Sequence, residues 1–215
     1  MNKNQYLAAW QASHDAPAMK VISIFLTVVF YVSTFFIRLK LKPNHITILG
    51  GLVGLTAAAL FAAEFWLVAA FVAVLSSLLD GVDGAVAEIT GQKSKFGALL
   101  DVTIDRIVEI SLILVLAAAG ASFESVTSAA LAILILEYIR AKANSLGITG
   151  PGKITIAERP TRVVMFAMLS VGVWVIGLDN LLLTIGAWTL TVLTAIGVIQ
   201  LFFCFADQLR HNSGR

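Results

Sequence analysis

The stretch LLDGVDGAVAEITGQKSKFGALLDVTID, residues 78–105, decides how the rest of this chain is interpreted. It holds four aspartates in a chain of 215 residues that is 59% hydrophobic and 13% charged. Asp80 and Asp83 are three residues apart, and Asp101 and Asp105 are four apart. On a helix, either spacing places both side chains on one face. The polar segment EITGQKSK between the pairs is typical of a hairpin, so we expect the four carboxylates to meet.

The composition around this stretch indicates an all-α integral membrane protein. The mean hydropathy is +0.91, and the stretches 46–63 and 181–206 are uncharged and near the ~20 residues that cross a bilayer. The polar N-terminus predicts that there is no cleavable signal peptide. We predict six spanning helices, at residues 44–64, 66–89, 95–119, 125–146, 160–178 and 181–206.

The placement of basic residues predicts the orientation. The connections after the first, third and fifth predicted spans lack Lys and Arg, whereas the other connections and the chain ends are basic. The positive-inside rule then places the basic side, with the aspartates, in the cytoplasm of a cell whose inner membrane holds the chain. We expect one domain, 1–215, made of a juxtamembrane segment, 1–42, and a six-helix bundle, 43–208.

Residues 19–38 are apolar but carry polar side chains at intervals of three or four. These are Lys20, Ser23, Thr27, Tyr31, Thr34 and Arg38. An amphipathic helix that lies along the membrane interface has such a stripe. A seventh span that packs its stripe against neighbouring helices would also have one. The interfacial helix is the favoured interpretation, because the stripe has cationic ends.

The four aspartates predict a metal site. Carboxylates packed this closely repel one another, and burial raises the cost. Divalent cations remove both problems, and hard oxygen ligands without His or Cys favour Mg²⁺ or Mn²⁺. The alternative is that the aspartates cap helix ends and pair with Arg106, Lys93 or Lys95. Acidic residues within membrane segments are costly and usually functional, which favours the metal site.

The same stretch resembles the CDP-alcohol phosphotransferase family. The family pattern is Asp-x2-Asp-Gly-x2-Ala-Arg-x8-Gly-x3-Asp-x3-Asp, and this chain matches seven of its eight fixed positions with every spacing intact. The matching residues are Asp80, Asp83, Gly84, Ala87, Gly97, Asp101 and Asp105. The segments PNHIT, 43–47, and GPGKITIAERPTR, 150–162, are also similar to the family.

This resemblance implies an enzyme that moves a substituted phosphate from a CDP-linked lipid donor, such as CDP-diacylglycerol, onto a small alcohol and releases CMP. It implies two Mg²⁺ or Mn²⁺ ions on the four aspartates, with Asp105 also acting as general base. Implied nucleotide contacts are Asn44, Thr47, Asp80, Gly84, Ala87 and Ser94. Helix capping remains an alternative role for Asn44 and Thr47. A homodimer surrounded by membrane lipid is implied, and no nucleic-acid partner is expected.

A second polar group predicts a cationic acceptor pocket. Its members are Arg106, Arg140, Lys142, Lys153, Arg159 and Arg162. Ordinary positive-inside charge is the alternative for the loop residues, and pairing within the bundle is the alternative for Arg106. The segment ERPTR resembles the ERPER of family members that use inositol 1-phosphate, which favours that acceptor. Glycerol 3-phosphate is the second candidate acceptor.

Glu88 departs from the pattern, since the family has Arg there. Either it disturbs donor binding, or it points away and pairs with a base such as Lys95. Two other classes stay open: a divalent-cation transporter and a catalytically silent membrane scaffold. Transporter sites usually lie near the midplane between repeats, whereas these acids are predicted at one membrane edge and the sequence shows no repeat.

Overall fold

The computed structural model describes residues 1–14, 20–148 and 155–212, and over these residues it contains helices and no strands. Helices α1 (Lys3–His14) and α2 (Lys20–Arg38) come first. Six further helices follow: α3 (Pro43–Ala62), α4 (Trp66–Thr90), α5 (Lys95–Ala118), α6 (Phe123–Ser145), α7 (Arg159–Ile176) and α8 (Asn180–Asn212). Their ends agree with the six predicted helices within two residues, except that α8 continues beyond its predicted end.

Four of the described helices are long and apolar enough to cross a membrane, namely α3, α4, α7 and residues 180–210 of α8. Helices α5 and α6, with 24 and 23 residues, have the necessary length. They fall outside this group because they carry more charge; α5 alone includes Asp101, Asp105, Arg106 and Glu109. The membrane-protein prediction is therefore supported by four helices rather than by six.

Small residues of α3 bring α4 and α5 close to it. A Cβ atom added at Gly54 would lie 2.5 Å from Val108 Cγ1 and 2.7 Å from Ser76 Oγ. The Ser76 hydroxyl, on α4, donates a hydrogen bond of 2.8 Å to the Gly50 carbonyl oxygen. Because α4 and α5 carry the aspartates, this contact sets the spacing of the two helices that form the site.

The connection between α4 and α5 is fixed at both ends. Gly91 ends α4 in the left-handed conformation, with φ of 67°, which a residue without Cβ adopts at little cost. Ser94 begins α5, and its hydroxyl oxygen accepts a 2.9 Å hydrogen bond from the Gly97 amide. The short connection and the packing of both helices against α3 bring Asp80 of α4 close to Asp101 and Asp105 of α5, as the sequence predicted.

Helix α2 packs against α4, and α1 packs against α2. Tyr6, Leu26 and Val29 belong to an apolar cluster that includes Val82. Ser33 is also buried, and its hydroxyl donates to the Val29 carbonyl oxygen at 2.7 Å. An N-terminal helix with a buried tyrosine was not foreseen, because residues 3–14 are polar overall.

The polar stripe of α2 is not its packing face. The hydroxyls of Thr27 and Thr34 donate to carbonyl oxygens of their own helix, at Ser23 and Phe30. Tyr31 is 62% exposed. Within this chain, α2 therefore packs mainly through Leu26, Val29 and Ser33 rather than through its polar stripe.

Replacing Gly54 with Ala tests the α3 contact. We expect Gly54→Ala to lower the melting midpoint of the purified protein, because overpacking a well-packed site typically costs ~1–3 kcal/mol. Gly172→Ala on α7 is the matched control, since its Cβ would lie 3.8 Å from Leu182 Cδ2, an ordinary contact distance. Equal midpoints for the two variants would contradict tight packing at Gly54.

Candidate active site

Three of the four predicted metal ligands converge beside the α4–α5 hairpin. One carboxylate oxygen each from Asp80, Asp101 and Asp105 lies within 4.8 Å of the others, and all three residues are partly buried. Such a group is costly unless cations offset its charge. An all-oxygen donor set suits Mg²⁺ or Mn²⁺.

Asp83 lies next to this group and outside it. The residue is 5% exposed, and its Oδ2 is buried without a hydrogen-bond partner among the described residues. Asp101 Oδ1 is also buried without a hydrogen-bond partner among the described residues. Buried carboxylate oxygens without partners are expensive, so these two atoms fit a site that takes up a cation.

Arg159, the first residue of α7, contacts two of the converging carboxylates. Its Nη1 pairs with Asp80 Oδ1 and lies 2.8 Å from Asp105 Oδ1. Within the described chain, no other base pairs with the four aspartates, so the alternative partners Arg106, Lys93 and Lys95 are not the ones found. One guanidinium facing four carboxylates leaves an excess of negative charge.

A cavity of about 240 Å³ adjoins Asp83 and Asp101. Five of the six predicted nucleotide contacts line it: Asn44, Thr47, Gly84, Ala87 and Ser94. The sixth, Asp80, lines a second cavity of about 350 Å³, which shares Asp83, Gly84, Lys93 and Asp101 with the first. Gln92 and Lys93 also line the first cavity, and neither was among the predicted contacts.

The glycines of the motif have different neighbours. No heavy atom would lie within 4 Å of a Cβ added at Gly84, so its backbone faces open space. A Cβ at Gly81 would instead meet Phe25 and Val29 of α2 at 3.5 Å. Gly84 therefore gives room to a ligand, whereas Gly81 gives room to a helix.

Helix capping does not explain Asn44 or Thr47. Lys42 is the N-cap residue of α3 and Pro43 its first helical residue, so Asn44 lies inside the helix. The Thr47 hydroxyl donates to the Pro43 carbonyl oxygen at 3.2 Å, which is a bond within the helix. Of the predicted nucleotide residues, Ser94 is the one that caps a helix.

Three predicted acceptor-binding arginines have glutamate partners. Arg162 Nε donates to Glu109 Oε1 at 2.8 Å, and Arg140 Nη2 donates to Glu158 Oε1 at 3.0 Å. Arg106 pairs with Glu109 as well. The pairing alternative for Arg106 is therefore what the structure shows.

Glu137 joins these pairs into one network. Its carboxylate lies 3.6 Å from both Arg106 and Arg140, and 3.3 Å from Arg162. Three arginines thus face three glutamates, and this network is charge-balanced. Lys142 is exposed and forms no ion pair within the described chain, and Lys153 lies outside the described residues.

Glu88 pairs with Lys93, not with Lys95. It lines the larger cavity together with Tyr6 and Trp10 of α1. Burial, followed by the nearby negative charge of Glu88, raises the pKa of Tyr6 to about 12, so its hydroxyl stays protonated at neutral pH. Position 88 thus belongs to the wall of the site and does not point away from it.

Comparison with known proteins identifies the class of site. A family described as CDP-alcohol phosphatidyltransferase matches residues 40–199. This chain belongs to that family. The predicted class, a metal-binding membrane transferase of phospholipid biosynthesis, is confirmed. The match begins after α1 and α2, so the aromatic wall from Tyr6 and Trp10 lies outside it.

Similar proteins include synthases named for a lipid product that carries an inositol phosphate head group. An archaetidylinositol phosphate synthase of Aeropyrum pernix is 34% identical over 184 residues, which cover 83% of this chain and 90% of that protein. A phosphatidylinositol phosphate synthase of Mycolicibacterium smegmatis is 31% identical over 185 residues, with 76% and 77% covered.

A solved structure of similar fold contains a metal. Phosphatidylinositol phosphate synthase of Mycobacterium tuberculosis, in complex with manganese and citrate, gives a TM-score of 0.69 at 26% identity. The match covers 82% of this chain and 88% of that one. The predicted use of a divalent cation by a CDP-alcohol phosphatidyltransferase agrees with that complex.

Removing one carboxylate tests the metal site. We expect Asp101→Asn to weaken Mn²⁺ binding at least tenfold, because a converging hard ligand is lost. Binding is measured by electron paramagnetic resonance of free Mn²⁺. Glu124→Gln, on the exposed first turn of α6, removes the same charge elsewhere and should bind Mn²⁺ as the parent does; equal affinities for both variants would contradict the site.

Removing Arg159 tests its role as counter-ion. We expect Arg159→Gln to enlarge the rise in melting midpoint on Mn²⁺ addition, because Asp80 and Asp105 then have no cation until the metal binds. Thermal unfolding with and without Mn²⁺ measures this difference. The same rise in the parent and the variant would show that Arg159 does not balance these carboxylates.

Proposed function

We propose that this chain transfers the phosphatidyl group of a CDP-linked lipid, such as CDP-diacylglycerol, to inositol 1-phosphate and releases CMP. The observation that carries the proposal is the cavity lined by Asn44, Thr47, Gly84, Ala87 and Ser94, which opens onto Asp83 and Asp101. A nucleotide in that cavity would place its diphosphate beside the converging carboxylates. The names of similar enzymes support an inositol phosphate as acceptor.

Asp80, Asp83, Asp101 and Asp105 would hold two ions of Mg²⁺ or Mn²⁺. When bound, these cations supply charge that offsets the diphosphate and favours departure of CMP. The fit rests on oxygen donors, on the two buried oxygens without partners and on the excess of acidic charge. Manganese in a similar enzyme supports the same chemistry.

The transfer is a substitution at the phosphorus that carries the lipid. The acceptor hydroxyl oxygen forms a bond to this phosphorus, the bond from phosphorus to the CMP phosphate oxygen breaks, and CMP leaves with the electron pair. Asp105 takes the proton of the attacking hydroxyl as general base. Positioning of the two substrates supplies most of the remaining catalysis.

Arg159 connects the acceptor to this step. It contacts Asp105 directly, and a guanidinium has several donors that suit a phosphate. An acceptor phosphate held by Arg159 would place the acceptor near Asp105. Arg106, Arg140, Lys142, Lys153 and Arg162 complete the proposed acceptor pocket, in which the substrate phosphate would share the arginines with Glu109, Glu137 and Glu158.

The proposed setting is the inner membrane of the cell, with the site facing the cytoplasm. The basic connections favour this orientation. In it, α5 and α6 also cross the membrane, which gives six spans, with their charged residues in the bundle near the site. Helix α2 lies along the interface, and the chain works as a homodimer within membrane lipid.

Release of CMP from the purified chain tests the proposed function. The assay contains Mg²⁺ or Mn²⁺, CDP-diacylglycerol, and one acceptor at a time from inositol 1-phosphate, glycerol 3-phosphate and unphosphorylated inositol. We expect fast CMP release with inositol 1-phosphate alone. Faster CMP release with glycerol 3-phosphate would support the proposed transfer reaction but would show that inositol 1-phosphate is not the acceptor.

Two outcomes would favour the other classes. No CMP release with any acceptor, with Glu88→Arg equally inactive, would favour a silent scaffold. Uptake of Mn²⁺ into proteoliposomes without CMP release would favour a transporter. An acceptor assay in the presence and absence of the divalent cation separates these outcomes from a simple lack of metal.

Asp105→Asn tests the general base. We expect turnover to fall by at least about 10²-fold, since an amide cannot take the proton. Binding of labelled CDP-diacylglycerol should remain measurable, because Asp105 does not line the proposed nucleotide cavity. A near-normal rate in this variant would show that another group accepts the proton.

A further inference from the structure

Lys93 lies where the two cavities of the site meet. Both cavities are lined by Lys93, and they share Asp83, Gly84 and Asp101 as well. The smaller cavity contains the proposed nucleotide contacts, and the larger one contains Asp80 and an apolar wall from α1 and α2. If the donor has its nucleotide in the smaller cavity and its reacting phosphate beside Asp80, its diphosphate would lie where the two cavities meet.

Lys93 is also the only base among the residues that line either cavity in the described part of the chain. The acidic residues there are Asp80, Asp83, Glu88 and Asp101. Metal ions on the aspartates would offset part of this charge, but apart from Lys93 no lysine or arginine in the described part of the chain lines these cavities to meet a diphosphate. The ammonium of Lys93, where the two cavities meet, would supply a cation for it.

Glu88 holds this ammonium at the site. It forms an ion pair with Lys93 across the turn that ends α4, and Lys93 itself follows the helix end and is 65% exposed. An exposed lysine on a turn has many rotamers, and a fixed carboxylate partner restricts them. A pair this exposed contributes little to stability, so a role in ligand binding is the better account of it.

We propose that Lys93, positioned by Glu88, binds the diphosphate of the CDP-linked donor where it passes between the two cavities. This inference rests on the proposed function and names a further donor-binding residue. It also gives Glu88 a role. The family motif has Arg at this position of α4, whereas in this chain Glu88 pairs with Lys93 from the turn that follows α4.

The test compares Lys93→Met with Lys95→Met. Both remove one exposed lysine near the hairpin, but Lys95 lines neither cavity and forms no ion pair within the described chain. With inositol 1-phosphate saturating, we expect Lys93→Met to raise the KM for CDP-diacylglycerol about tenfold, the loss expected for one charge-assisted contact. Its kcat should change much less, and Lys95→Met should match the parent.

Rescue separates ligand binding from a structural effect. Lys93→Arg should keep a KM near that of the parent, because the cation is kept. Adding Glu88→Arg to Lys93→Met should lower the raised KM, because residue 88 lines the larger cavity and places a guanidinium there. In the otherwise unchanged protein, Glu88→Gln should raise the KM without changing the melting midpoint.

Equal KM values for Lys93→Met and Lys95→Met would overturn the inference and leave an ordinary surface ion pair. A fall in kcat with no change in KM would overturn it too. Direct binding of labelled CDP-diacylglycerol with Mn²⁺ is measured in parallel. If the parent binds the donor but releases no CMP, the proposed function fails, while the binding ratio between the two variants still decides the role of Lys93.

Discussion

The need to balance four carboxylates in an apolar helical protein determines how the active site is built. Charges that approach one another away from bulk water interact strongly, and an unbalanced group raises the energy of the folded chain. Arg159 contacts two of these carboxylates, and Asp83 and Asp101 keep oxygens without partners. Arg106, Arg140 and Arg162 already face Glu109, Glu137 and Glu158. The metal site therefore remains negative, and divalent cations are the chemistry that completes it.

The positions of these four aspartates depend on how α4 and α5 pack against α3. The α4–α5 hairpin brings the two aspartate pairs together only because both helices also approach α3. Gly54 has no room for a Cβ against Val108 and Ser76, and Ser76 is bonded to the α3 backbone at Gly50. A larger residue in α3 would push the helices apart and would change the distance between Asp80 and Asp101. Small residues in α3 thus serve the chemistry without touching a substrate.

The sequence predicted what depends on local spacing. Hydropathy and turn residues located the six helices. The motif spacings predicted that the aspartates meet, and three of them do so beside the predicted nucleotide residues. Partners far apart in sequence were missed, since Arg162 and Glu109 are separated by 53 positions and meet only in the folded bundle. A signal for Glu109 did exist, because an acid four residues after Asp105 in an apolar helix calls for a partner. Helix α1 gave no such signal, because one buried tyrosine does not mark a polar segment as packed.

Helix α7 links the two charge groups through its first turn. Arg159 faces Asp80 and Asp105, whereas Arg162, three residues later, faces Glu109 and Glu137. Under the proposed function, an acceptor phosphate entering a charge-balanced arginine network must exchange with a glutamate rather than add to free positive charge. Displacing a glutamate from an arginine costs more free energy for an unphosphorylated alcohol than for a phosphorylated one, because the arginine would lose a carboxylate and gain no anion. Under that proposal the glutamates would favour phosphorylated acceptors, and α7 would bring the bound phosphate next to Asp105, the proposed general base.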